Sequence, residues 1–274
     1  MSAIAAIGER GKVGYWKRRR LSVTSDRGVS QKAPGRAMRP TERRLGMENV
    51  VRMLSTLALK GAVRDLAGQF ETETQTRIDA DFAPTLGLLD RLRGGEGADV
   101  VILTKEALDD LAAQGTVVAA SCADLARSFV GIAVKAGARH PEIATEAALR
   151  TTLLGARSVA YSRIGASGIF FAALIERMGI ASEINARALI IPSGFTAERL
   201  VTGEADLAVQ QLSELKQVAG VDVIGPIPRH LQRPAVFSAG RLASSPRAER
   251  SDALLKYLAS PEAAPVLRES GLEP

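Results

Sequence analysis

"SVAYSRIGASGIFFAALIERMG", residues 158–179, combines a short apolar strand, a turn of small residues and an amphipathic helix in immediate succession. The pattern predicts a strand over residues 159–162 and a helix that starts with Ser167 as its N-cap and ends at Gly179. The predicted helix carries an apolar stripe at helical spacing, made of Phe171, Leu174, Ile175 and Met178. The turn at 165–168 offers no acid, cysteine or histidine, so it is either a packing corner or a site built from neutral groups.

The same strand–helix arrangement recurs between residues 49 and 213. The stretches "NVVRML", "RIDADFA", "ADVVIL" and "ARALIIP" are each a predicted strand that is followed by a small polar turn and a helix. A further predicted strand, "ADLAVQQ", ends at residues 210–213. Such alternation is typical of α/β folds with mostly parallel sheets. The sequence therefore predicts an α/β protein.

Hydroxyl residues follow several of these predicted strands, at Ser55–Thr56, Thr85, Ser167 and Ser193. Ligands of open parallel sheets bind outside the carboxyl ends of the strands, and helix N-termini there attract anions. Ser and Thr are also common N-caps. Two interpretations thus remain open: independent helix caps, or a shared anion site.

Composition excludes several classes of protein. The 274 residues include a single cysteine, Cys122, so neither an internal disulfide nor a cysteine metal cluster is expected. No apolar run approaches the ~20 residues of a membrane-spanning helix. We expect no metal, no cofactor and no membrane insertion.

The excess of basic residues is confined to the amino-terminal part of the chain. Residues 1–46 carry 12 Lys and Arg against 3 Asp and Glu, whereas the remainder carries 24 against 27. The remainder is mildly acidic, so no nucleic-acid-binding surface is expected. Residues 1–46 are predicted to be a disordered basic tail or the product of a misassigned start, with Met47 as the true beginning. A secretory signal needs an apolar run after its basic residues, but the basic tract at 17–20 is followed by polar residues. The sequence as it stands therefore predicts a cytoplasmic protein.

From about Asn49 to the C-terminus, the chain resembles the molybdate-binding type of extracellular solute-binding proteins, which have the type 2 periplasmic binding fold. The resemblance rests on the order and spacing of "GEGADVVILTKEALDDLAAQG", "DLARSFVGIAVKAGA", "YSRIGASGIFFAALIERMGI", "GEADLAVQQLSEL", "VIGPIPRHLQ" and "YLASPEAAPVL". It implies two lobes, residues 47–124 plus 226–274 and residues 125–225, each a mostly parallel sheet flanked by helices. By analogy the protein would be periplasmic, and an ABC permease would be its partner if it is exported.

The resemblance also implies a site in which the two lobes close on a small anion. The first lobe would contribute Ser55, Thr56 and Thr85, and the second would contribute the helix start at Ser167–Gly168 together with Gln210. Tyr161 lies near the predicted cleft. Arg163 is either an exposed loop residue or a bidentate partner for a carboxylate, so the anion class includes both molybdate-like oxyanions and small organic polycarboxylates.

Three functions remain open: a non-enzymatic anion binder, an isomerase of the aconitate isomerase type, and a cytoplasmic anion sensor. Proton removal beside a carboxylate requires a positioned base. The sequence assigns none, because His140 and His230 lie in polar loops and nothing orients Lys60 or Tyr161.

Overall fold

The computed structural model describes residues 49–274, which contain two five-stranded sheets flanked by helices. The predicted tail at 1–46 lies outside these residues. The strands are β1 Val50–Thr56, β2 Arg77–Ala83, β3 Val100–Thr104, β4 Ala123–Ser128, β5 Val130–Lys135, β6 Val159–Tyr161, β7 Ala188–Ile190, β8 Leu207–Gln211, β9 Val221–Pro226 and β10 Ala235–Arg241.

The helices alternate with these strands. They are α1 Lys60–Thr74, α2 Thr85–Arg93, α3 Lys105–Ala113, α4 Glu146–Gly155, α5 Ala166–Arg177, α6 Ala181–Asn185, α7 Glu198–Val201, α8 Leu212–Leu215, α9 Ala248–Leu258 and α10 Ala264–Glu269. Short 3-10 turns occupy Leu57–Leu59, Ala119–Ser121 and Arg229–Leu231. No helix within residues 49–274 combines the length and hydrophobicity needed to cross a bilayer.

Each sheet is mixed. The first has the order β2-β1-β3-β10-β4, with β1 parallel to β2 and β3, and with β10 antiparallel to both of its neighbours. The second has the order β7-β6-β8-β5-β9, with β6 parallel to β7 and β8, and with β5 antiparallel to its neighbours. We call the sheets with their helices the first and second lobes. The predicted two-lobed α/β fold is confirmed.

Apolar side chains cover both faces of each sheet. In the first lobe, Val51 and Ile102 pack towards α1 and α9, and Leu54 and Leu103 pack on the opposite face. The second lobe has the same two-sided core. Strands buried on both faces explain why the β1 and β3 sequences are continuous apolar runs rather than alternating ones.

The chain changes sheet at Phe129. The predicted boundary at residues 124–125 falls inside β4, which pairs with β10 as far as Ser128 and so stays in the first sheet. The next strand, β5, begins one residue later in the second sheet. The chain returns to the first sheet through residues 227–234. The Gln232 side chain ties this segment to β5, because it accepts from Val130 N at 2.9 Å and donates to Val130 O at 3.1 Å.

Candidate functional site

A small cavity lies between the lobes, at the ends of strands from both sheets. Its volume is about 20 Å³. The first lobe lines it with residues that follow β1 and β2, and the second lobe with residues that follow β6 and β8. The lining residues are Thr56, Leu57, Ala58, Pro84, Thr85, Ser162, Gly165, Ala166, Ser167, Gly194, Gln210, Gln211, Glu214 and Phe237.

Two helices start at this cavity without a side-chain cap. Helix α2 begins at Thr85 after the N-cap Pro84, and helix α5 begins at Ala166 after the N-cap Gly165. The backbone N–H groups of a first helical turn have no intrahelical acceptor, and the helix dipole places partial positive charge there. Both lobes therefore present positive helix ends to one space, which favours an anion.

The Thr56 side chain is the clearest sign that the cavity binds something. Thr56 is only 3% exposed, and its Oγ1 is a buried atom without a hydrogen-bond partner. A buried hydroxyl left unpaired destabilises a fold, so it requires an explanation. A ligand that accepts from Thr56 Oγ1 would provide one. Ser55, by contrast, is fully buried and donates from Oγ to Thr56 O at 3.1 Å, outside the cavity lining.

Thr85 of the first lobe and Ser167 of the second lobe line the same cavity. Both are buried, at 7% and 3% exposure. Ser167 is not the N-cap that the sequence predicts: Gly165 occupies that position, and Ser167 is the second residue of α5. No side chain caps this helix, so the Ser167 hydroxyl does not bond to the free N–H groups of the first turn as a cap would.

Gln210 lines the cavity, but its amide already has partners. The side-chain oxygen accepts from Thr196 N at 2.8 Å and from Thr196 Oγ1 at 3.1 Å, and the nitrogen donates to Gly194 O at 3.2 Å. Gln210 thus fixes the loop at 194–196 against the end of β8. We infer that it shapes the cavity wall.

Three further predicted site residues lie away from the lining. Tyr161 is fully buried, packs edge-on against Phe171 and donates to Asn185 Oδ1 at 2.6 Å. Arg163 is exposed and donates to the same Asn185 oxygen at 3.1 Å. Gly168 is a packing residue, because a Cβ there would lie 1.4 Å from Ser162 O.

Glu214 is the cavity residue that the sequence analysis missed. It is 7% exposed, and its Oε2 accepts from Gln211 N at 3.1 Å, in a capping box that starts α8. Burial raises the pKa of this carboxyl to about 8, although the Gln211 N–H lowers it in part. Burial therefore favours the protonated form of this carboxyl. Its spacing from Gln211 is the only local signal, and that signal predicts a helix cap rather than a buried acid.

Gln211 connects this acid to the crossover between the lobes. With its amide nitrogen towards the carbonyls, Gln211 donates to Ser128 O at 3.3 Å, Ser128 Oγ at 3.1 Å and Phe129 O at 3.2 Å. Leu212 N also donates to Phe129 O, at 2.9 Å. The start of α8, and with it Glu214, is tied to the residue at which the chain changes sheet.

The lobes touch on either side of the cavity. Leu86 N at the start of α2 donates to Ile164 O of the second lobe at 3.4 Å. The Lys60 ammonium of the first lobe lies 5.2 Å from the ring centroid of Phe195 in the second lobe and 5.9 Å from that of Phe82 in its own lobe. Residues 49–274 hold no group of three or more His, Cys, Asp and Glu side chains that could bind a metal ion.

Comparisons with known proteins agree with this architecture. Residues 51–273 match the family model described as "Bacterial extracellular solute-binding protein". A protein of Pseudomonas sp. named aconitate isomerase is 39% identical over 228 residues, covering 81% of this chain and 87% of that protein.

Solved structures of periplasmic binding proteins have the same fold. The periplasmic molybdate-binding protein of Azotobacter vinelandii superposes with a TM-score of 0.70 at 19% identity, covering 81% of this chain and 98% of that one. The sulfate-binding protein of Mycobacterium tuberculosis superposes with a TM-score of 0.65 at 14% identity, covering 82% and 87%. With the family model spanning residues 51–273 and the two-lobed fold in common, this chain belongs to the bacterial extracellular solute-binding protein family.

Proposed function

We propose that this protein binds a small organic polycarboxylate between its two lobes. The observation that carries the proposal is the Thr56 hydroxyl, which is buried and unpartnered in a cavity that two uncapped helix starts also face. Hydroxyl and backbone N–H donors from both lobes would bind carboxylate oxygens. A ligand held in this way bridges the lobes, as the fold allows.

The choice of a carboxylate over a tetrahedral oxyanion rests on the relatives. The molybdate- and sulfate-binding structures are only 19% and 14% identical to this chain, so they support a shared fold but carry no information about its ligand. The relative named after aconitate, a tricarboxylate, is 39% identical over most of both chains. Neutral donors accept either anion, so the ligand class requires measurement.

Isothermal titration calorimetry tests the proposal with trans-aconitate, cis-aconitate and citrate on one side and molybdate and sulfate on the other. We expect saturable binding of at least one tricarboxylate, and weaker or no binding of the tetrahedral oxyanions. Binding of molybdate alone would overturn the proposed ligand class. An absence of binding for all five anions would overturn the proposal as a whole.

A second candidate function is the isomerisation of an unsaturated tricarboxylate. The 39% identity to the protein named aconitate isomerase favours it. Incubation of trans-aconitate with the protein, followed by chromatographic separation of the cis and trans isomers, tests it directly. Formation of the cis isomer in proportion to protein concentration would establish the activity. Stoichiometric binding of trans-aconitate without conversion would exclude the isomerase and leave anion binding as the function.

Cellular location bears on the role of such a binder. The family description is of extracellular proteins. We propose that, when exported, the protein delivers its anion to an ABC permease. Fractionation of cells that express the native gene, with detection by antibody, tests this. Recovery of the protein only from the cytoplasm would contradict the transport role. The remaining roles would then be an anion sensor or an intracellular enzyme.

A further inference from the structure

Glu214 differs chemically from every other residue that lines the inter-lobe cavity. Within the described part of the chain, the lining otherwise consists of hydroxyl, amide, glycine and apolar residues. Glu214 is therefore the single ionisable side chain among the lining residues of 49–274. The ionised form of an acid would repel an anionic ligand, so an acid is unexpected in a site that only binds anions.

Only one of the two oxygens of the Glu214 carboxyl accepts a hydrogen bond from the described residues. Oε2 accepts from Gln211 N at 3.1 Å, and no hydrogen bond from residues 49–274 reaches Oε1. Ser213, the preceding residue, is buried as well. Glu214 thus lines the cavity with one carboxyl oxygen held by a backbone N–H and the other without a hydrogen bond from the described residues.

The charged groups on the surrounding elements do not explain why the acid is present. Helix α8 packs against β5, β8, β9, α1 and the 3-10 turn at 57–59. Lys60 lies over the Phe195 and Phe82 rings, and Glu71 accepts from Ile78 N. The other ionisable side chains of these elements are exposed or engaged in surface pairs, and they are Arg64, Asp65, Glu73, Lys135 and Asp222, with Lys216 just after α8. None of them perturbs the pKa of Glu214, which burial raises.

We propose that Glu214 is the catalytic acid–base residue of this cavity and moves a proton between two carbon atoms of a bound unsaturated polycarboxylate. The inference rests on the proposed polycarboxylate function. The ionised carboxyl takes a proton from a methylene next to a ligand carboxylate, so the C–H bond breaks and an O–H bond forms. The electron pair of that C–H bond forms a new double bond to the central carbon, and the electron pair of the old double bond moves to the far carbon. Glu214, whose O–H exchanges its proton with water, then delivers a proton to that far carbon.

This step moves the double bond by one position and regenerates the ionised Glu214. Atoms and electrons balance without an oxidant, metal or cofactor. The negative charge that develops on the ligand carboxylate in between is stabilised by donors of residues that line the cavity, namely Thr56 Oγ1 and the N-termini of α2 and α5. Burial serves the reaction because a base works best when its pKa lies near the working pH.

Solvent exchange tests the proposal. Wild-type protein and Glu214→Gln are incubated with trans-aconitate in D₂O, and deuterium entry at the methylene carbon is followed by ¹H NMR. We expect exchange to fall by roughly a hundredfold or more in Glu214→Gln, while calorimetry shows affinity within a few-fold of wild type, because glutamine resembles the neutral acid. Glu71→Gln is the control: Glu71 Oε1 also accepts a backbone N–H, from Ile78 at 3.1 Å, but outside the cavity lining.

The outcomes separate this inference from the binding proposal. Exchange at the wild-type rate in Glu214→Gln, or tricarboxylate binding by wild type without any exchange, overturns the role of Glu214 and leaves the binder. If Glu214→Gln does not fold, the wild-type pH profile decides. Exchange that rises about tenfold per pH unit and levels off above about pH 8 supports the ionised carboxyl as the base, whereas a flat profile overturns it.

Discussion

Thr56 lowers the stability of the protein but provides the cavity with a hydrogen-bond donor. Its buried Oγ1 has no partner, and an unpaired buried hydroxyl costs about 1–3 kcal/mol. We expect Thr56→Val to raise the free energy of unfolding by about 1 kcal/mol and to weaken tricarboxylate binding about tenfold to a hundredfold, the value of a hydrogen bond to a charged group. Urea denaturation and calorimetry measure the two effects.

Ser213→Ala is the matched control for this prediction. Ser213 Oγ is likewise buried and unpartnered, but Ser213 does not line the cavity. The control should gain stability as Thr56→Val does and keep its affinity. Equal affinities for Thr56→Val and wild type would mean that the unpaired hydroxyl has no role in binding.

Glu214 makes stability depend on pH with a definite sign. Its pKa is raised from 4.5 to about 8 by burial, so the folded state binds the proton more tightly than the unfolded state does. Its contribution to stability is complete below about pH 4.5 and is lost as pH rises towards 8, at up to about 1.4 kcal/mol per pH unit. The unfolding free energy of wild type minus that of Glu214→Gln, measured in urea at several pH values, should fall across this window. A constant difference would contradict the burial of an ionisable carboxyl.

The residues that sequence reasoning found and missed differ in one physical respect. Thr56, Thr85 and Ser167 follow strands, so local pattern marked them as candidates. They lie on two different sheets, and only the resemblance to solute-binding proteins predicted that they share a site. Glu214 is a polar residue in "QLSEL" that becomes buried only because α8 packs under the crossover. Tyr161 was placed near the cleft because strand position is readable, but a three-residue strand does not reveal which face a side chain takes.

At the scale of elements, α5 can start where it does only because Gly168 has no side chain. A Cβ at this position would lie 1.4 Å from Ser162 O, a backbone atom that cannot rotate away. We expect Gly168→Ala to lower the unfolding free energy by about 1–3 kcal/mol and to abolish most anion binding, because Ser167 and the helix start would shift. Thermal unfolding and calorimetry measure both.

Gly68→Ala in α1 separates this steric effect from the general effect of replacing a helical glycine. Nothing lies within 4 Å of a Cβ at Gly68, so this variant should be more stable by roughly 0.5–1 kcal/mol. If Gly168→Ala were also stabilised with unchanged affinity, the helix start would not be held by this contact.

The order of elements was readable from sequence, whereas the exchange between sheets was not. Alternating apolar strands and amphipathic helices predict α/β lobes, and the lobes are present. In "DLARSFVGIAV" no glycine–proline turn marks the change of sheet, because Phe129 alone connects two extended strands. Its ring is covered by the Arg229 guanidinium at 4.1 Å, a contact between residues a hundred positions apart that no local pattern reveals.

At the scale of the whole molecule, the cavity that Thr56 and Glu214 line is too small for a polycarboxylate. The cavity of about 20 Å³ has room for about one water molecule. Leu86 N contacts Ile164 O, and Lys60 contacts Phe195, on opposing lobes. Binding in this cavity therefore requires the lobes to separate about the crossovers at Phe129 and residues 227–234.

A disulfide across the cavity tests whether this motion is needed. A Cβ at Gly165 would lie 4.0 Å from Pro84 Cβ on the other lobe, within the ~3.5–4.5 Å that disulfides span. In a Cys122→Ser background, Pro84→Cys with Gly165→Cys should lose tricarboxylate binding on oxidation and regain it in dithiothreitol, as measured by calorimetry. Each single-cysteine variant should bind equally well under both conditions. Because the bond holds the lobes together without touching Thr56 or Glu214, full affinity in the oxidised double variant would mean that the anion binds outside this cavity, and both the proposed site and the role of Glu214 would fall with it.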